Sequence, residues 1–89
     1  MQQRIESLRA ELDALDAQLV HLWERRVMVT DEIGRQKTQS GIAVRDSARE
    51  REIISHCTAA LCDKSLSGDL AALYETIFAI SRRRQKEMR

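Results

Sequence analysis

Apolar residues recur along the first third of the chain in alternating steps of three and four: Ile5, Leu8, Leu12, Leu15, Leu19, Leu22, Val29 and Ile33. That spacing is the heptad seam of a helix packed along its length on other helices. No stretch alternates apolar and polar residues over a strand's length, so no sheet is expected. Proline is absent, and the three glycines are Gly34, Gly41 and Gly68. Breaks fall at Ser40-Gly41-Ile42-Ala43 and at Asp63-Lys64-Ser65-Leu66, with Gly68 just beyond. The pattern predicts an all-α fold of three helices, about 3–39, 47–63 and 67–87, in one domain over 1–89. Ser47 and Glu50 fit a capping box for the second helix. Ser67, with Asp69 in the first turn, starts the third.

A first helix of about 36 residues is about 54 Å long. Two later helices of about 17 and 21 residues cannot cover it within one globule. A chain of this size buries only about 60 to 65% of its unfolded surface. Its aromatic residues are Trp23, Tyr74 and Phe78, which leaves a thin core of Leu, Ile, Val and Ala. The expectation is an intertwined helical homodimer, in which a second chain covers the rest of the seam.

One seam position is out of character. Between Leu22 and Val29 the heptad asks for an apolar residue, and the chain has Arg26. A buried guanidinium needs compensation. Two readings stay open: an ion pair with an acidic residue of another helix, or a pocket that receives an anion. Lys37 lies eleven residues on, about three turns, and so points in nearly the same direction. Thr30 and Ile33 lie between them on that face.

The third helix has a similar feature. Its apolar row, Leu66, Leu70, Leu73, Tyr74 and Ile77, continues through Ser81 and Gln85, one turn apart on one face. The row either ends in a polar site or frays into solvent. Arg82, Arg83 and Arg84 then read as an ordinary basic helix end that complements the dipole.

Charge narrows the partners without naming one. Fifteen basic and fourteen acidic side chains give a net charge of +1, which argues against general affinity for nucleic acid. No secretory or membrane-spanning apolar run is present in the sequence, so a cytoplasmic protein is expected. Cys57 and Cys62 sit five apart on the expected second helix, where their side chains diverge and lack CxxC spacing. Both are expected as reduced thiols. His21 and His56 have no partner at catalytic or metal spacing and read as surface or interface residues, and Trp23 reads as interface packing.

Several segments together resemble a known family. They are Leu8-Arg9-Ala10-Glu11-Leu12-Asp13-Ala14-Leu15-Asp16, Arg25-Arg26, Ile33-Gly34-Arg35-Gln36-Lys37, Val44-Arg45-Asp46 with Arg49-Glu50, and Ser81 with Gln85. In this order and spacing the chain resembles the all-helical (AroQ-type) chorismate mutases over nearly its whole length. It departs from them at Ala43, where many members carry proline, and in the basic run Arg82–Arg84.

The resemblance implies a role for each matched position. Arg26, Arg49 and Arg9 would hold the two carboxylates of chorismate, with Arg9 reaching in from the other subunit. Ser81 would assist at a carboxylate. Lys37 and Gln85 would donate to the ether oxygen, and Glu50, with the backbone near Asp46, would bind the ring hydroxyl. Lys37, Gln85, Arg26 and Glu50 would carry the catalysis. No proton moves in the rearrangement of chorismate to prephenate, so no cofactor, metal, nucleophile or general base is expected. Three rivals remain at this stage. The fold could serve 4-amino-4-deoxychorismate, whose ammonium would also pair with Glu50. It resembles isochorismate pyruvate lyase too, although that family lacks the Arg49-Glu50 signature. Or the chain is a non-enzymatic helical dimerisation module, in which Arg26 would be replaceable by leucine.

Overall fold

The computed structural model of the chain describes residues 1–43 and 45–88. Val44, one of the residues that carry the resemblance, lies outside them. The order is α1 (Gln2–Ser40), α2 (Ser47–Ala59), a short 3-10 turn (Lys64–Leu66) and α3 (Ser67–Glu87). Among the described residues the architecture is all-α with three α-helices, in keeping with the heptad pattern and the absence of proline.

Helix α1 ends in a Schellman motif. Gly41 takes φ 71°, a left-handed conformation that glycine adopts without a Cβ clash. The Ile42 N–H then donates to the Lys37 carbonyl at 2.9 Å, and the Gly41 N–H to the Thr38 carbonyl at 3.4 Å. Gly41 therefore stops the helix and leaves Lys37 in its last turn.

Helix α2 begins one residue earlier in its capping than expected. The cap is Asp46, whose Oδ1 accepts from the Arg49 N–H at 3.0 Å. Ser47 is the first helical residue, and its hydroxyl accepts from Arg45 Nε instead. The Ser47–Glu50 capping box is thus corrected: Asp46 is an equally good cap residue, and the Glu50 carboxylate is engaged elsewhere.

The helix also stops at Ala59 and not at 63. Lys64 folds back so that its ammonium donates to the Ala59 carbonyl at 2.6 Å and the Thr58 carbonyl at 3.2 Å. These are among the last-turn carbonyls that no helix of its own can satisfy. Asp63 then accepts from the Ser65 N–H and hydroxyl, at 3.0 and 2.6 Å, which starts the 3-10 turn. Cys62 accordingly sits in the connection and not on a helix. It is an exposed free thiol, and Cys57 a half-buried one.

The chain divides into two compact units, Met1–Thr30 and Asp31–Arg89. In the first, the seam residues Ile5, Leu8, Leu12, Leu15, Leu19, Leu22 and Val29 are all exposed, Leu19 to 62%. Thr30 closes this unit with its hydroxyl donating to the Arg26 and Val27 carbonyls, both at 3.1 Å.

In the second unit α3 packs on α2 and on the last turns of α1. Phe78 is its buried apolar centre at 4% exposure, with the Tyr74 ring 5.7 Å away between centroids and tilted by 44°. That offset geometry suits the ring quadrupoles. The inward row of α3 runs Leu70, Ala71, Tyr74, Ile77, Phe78, Ser81, Arg82 and Gln85. Leu66 and Leu73, placed on the buried row by the sequence pattern, are exposed at 46% and 54%. Among the described residues no helix is long and apolar enough to cross a membrane.

Candidate active site

Among the described residues Gln85 is the most deeply placed polar side chain of the second unit, 6% exposed on a helix whose flanks are charged. It reaches that depth because α1 presents Gly34 opposite. A β-carbon at Gly34 would stand 2.6 Å from Gln85 Cγ, 3.1 Å from Cδ and 3.2 Å from Met88 Sδ. Glycine alone permits that approach. Lys37 is three residues from Gly34, hence on the same side of α1, and is half-buried. Ser81, one turn before Gln85, is half-buried on the same row of α3. The polar continuation of the α3 row is therefore packed structure, and the fraying reading of Ser81 and Gln85 falls away.

Glu50 stands in the first turn of α2, where the helix dipole favours a carboxylate. Arg82 of α3 donates through one Nη1 to both of its oxygens, at 2.7 Å each. The pair is largely covered, with side-chain exposures of 22% for Arg82 and 16% for Glu50. Arg45 brings a second guanidinium to 4.0 Å from the same carboxylate. Asp46 is exposed and committed to its capping bond. Arg49 is exposed and holds Glu52, three residues on, at 2.6 Å.

A second cross-helix pair joins α3 to α1. Arg84 donates Nε and Nη2 to the two oxygens of Asp31 at 3.0 and 2.7 Å, in a bidentate fork. Asp31 is 8% exposed. The hydrogen bonds from Arg84 hold its carboxyl below the ordinary aspartate value of 3.8; burial opposes this, and the charges of Arg84 and Arg35 reinforce it. The Arg84 guanidinium is correspondingly raised by its bond to Asp31.

The second unit thus contains Lys37, Glu50, Ser81 and Gln85 on helices joined by two ion pairs, with Asp46 and Arg49 at the start of α2. Arg9 and Arg26 belong to the first unit, Arg9 exposed and Arg26 half-buried.

Asp31, Arg82 and Arg84 went unrecognised in the sequence. Arg82 was readable in principle. It lies four residues after Phe78 and three before Gln85, so it stands on the inward row as Arg26 does in the α1 seam. Arg83 alone behaves as the dipole-complementing surface residue expected of all three, exposed and 3.9 Å from Glu87.

Individual curated proteins offer no match to the chain. The sequence does match the family described as chorismate mutase type II, over residues 8–86. That span takes in every residue of the expected site. The chain belongs to this family, and is accordingly a chorismate mutase, an intramolecular isomerase acting on chorismate.

Proposed function

We propose that the chain converts chorismate to prephenate in the sites of an intertwined homodimer, by conformational restraint and by stabilisation of the ether oxygen. The observation that carries the mechanism is the buried Gln85 amide against Gly34, one turn of α1 from Lys37. Lys37, on the Gly34 side of α1, and Gln85 then supply two hydrogen-bond donors, one charged and one neutral.

The rearrangement is a concerted sigmatropic shift, in which the ether C–O bond breaks as a C–C bond forms. Negative charge builds on the ether oxygen as the bond lengthens. Lys37 and Gln85 donate to that oxygen, where charge develops and fixed donors help most. Arg26, Arg49 and the partner subunit's Arg9 grip the two carboxylates, assisted by Ser81, and hold the dianion in its compact chair. Glu50, with the backbone near Asp46, receives the ring hydroxyl. A millionfold acceleration asks for roughly 8 kcal/mol, within reach of these two effects together. No step requires a cofactor.

The exposed α1 seam supports the dimer. Seven apolar residues at heptad spacing along one helix form a stripe that water solvates poorly, and a second copy covers it. Two free cysteines suit a reducing cytoplasm.

Lys37→Ala and Gln85→Leu test the mechanism. Each is expected to lower kcat by about 100-fold or more while far-ultraviolet circular dichroism stays unchanged. A folded Lys37→Ala enzyme with full kcat would remove Lys37 from the ether oxygen.

A further inference from the structure

We propose that Arg82 is a specificity-determining residue that makes the site select a ring-hydroxyl substrate and reject one with a ring ammonium. The inference rests on the assignment of Glu50 to the ring substituent. Its structural basis is independent of that assignment.

A lone, half-buried carboxylate would attract a cation more strongly than a neutral donor. Glu50 is not alone. One Nη1 of Arg82 sits 2.7 Å from both of its oxygens, and the Arg45 guanidinium stands 4.0 Å away. The other acidic groups near the start of α2 do not offset this. Asp46 is committed to its capping bond, and Glu52 to Arg49. The negative charge of Glu50 is therefore already balanced before any substrate arrives.

Acceptor capacity is a different matter from charge. A carboxylate offers about four lone-pair positions, and Arg82 takes only two. A hydroxyl can still donate to Glu50 and loses nothing by the balance of charge. An ammonium at the same place would give up its water, gain no net countercharge and stand near two guanidinium groups. Like charges built against the wrong ligand are an effective means of discrimination.

The test measures kcat/KM for chorismate and for 4-amino-4-deoxychorismate with wild type, Arg82→Gln and Arg82→Lys. Wild type is expected to favour chorismate by roughly tenfold or more. Arg82→Gln should narrow that ratio by about tenfold, chiefly through KM for the amino substrate. Arg82→Lys, which keeps the charge, should preserve it. A merely structural role for Arg82 would lower both substrates alike and leave the ratio where it was.

An unchanged ratio in a folded Arg82→Gln enzyme overturns the proposal and leaves the mutase reading intact. Equal turnover of the two substrates by wild type overturns it with no variant needed, which covers the case in which Arg82→Gln fails to fold. Wild type inert on both substrates would instead overturn the mutase reading itself, and this proposal with it.

Discussion

Arg84 and Asp31 join the last helix of the chain to the end of the first by two parallel hydrogen bonds of 3.0 and 2.7 Å. Gln85 follows Arg84 directly and Gly34 lies one turn after Asp31, so the pair fastens the helices beside the point where Gln85 packs on Gly34. The two arginines that flank Arg83 act as cross-helix ties, and the amide behind them is held deep as a consequence.

Breaking the Asp31 pair should destabilise the fold. Asp31→Asn is expected to cost about 1–2 kcal/mol, a figure kept small because Arg84 is 42% exposed. The pH dependence has a definite sign. Asp31 has a lowered folded pKa, so the unfolded chain binds the proton more readily and stability rises with pH across the interval between the two values. The contribution is full above the ordinary value of 3.8 and is lost as pH falls through the folded value. Acid unfolding of wild type and Asp31→Asn should converge below that point, and curves that stay parallel would argue against it.

Gly34→Ala sets helix propensity against packing. In an open helix the change would stabilise by about 1 kcal/mol. Here the new Cβ would stand 2.6 Å from Gln85 Cγ, so Gln85 must move. The expected outcome is a helical protein with kcat down at least about tenfold. Unimpaired turnover would mean that the position of the Gln85 amide is not critical.

Activity should stay flat across neutral pH. The donor at position 85 is an amide and does not titrate. Gln85→Glu would donate only when protonated, so its kcat should rise as the solution is made acidic. A steep loss between about pH 6 and 8 in wild type would point to a titrating group that the mechanism does not contain.

Subunit mixing tests whether Arg9 acts across the dimer. Arg9→Ala and Arg26→Ala chains, each inactive alone, should recover activity when unfolded and refolded together. A heterodimer then holds one intact site and one doubly damaged site, so an equal mixture regains about a quarter of the wild-type sites. If Arg9 served its own subunit, every site would carry a lesion and nothing would return. Sedimentation of Leu15→Glu, which puts a charge into the seam, should show monomers.

The helices were legible because their signals are local and periodic. The α1 seam, the break at Gly41 and the absence of strand patterning can each be read within a few residues. Arg26, Lys37, Ser81 and Gln85 stood out as polar residues in apolar rows. Contacts distant in sequence were not legible. Nothing near Asp31 announces Arg84, 53 residues away. The capping of α2 turns on a local choice instead: Asp46, directly before Ser47, is an equally good cap and takes the Arg49 N–H. Past the end of α2, Lys64 reaches back to its last carbonyls, a contact that no periodic pattern announces.

The central claim is that this chain rearranges chorismate and does so by gripping a dianion. The most direct measurement is the ultraviolet-monitored loss of chorismate by the purified protein, run beside Arg26→Ala, with prephenate identified as the product. The prediction is turnover by wild type and a loss of about a thousandfold or more in the folded variant. A folded, dimeric wild-type protein that leaves chorismate untouched, or an Arg26→Ala enzyme as fast as wild type, would contradict it.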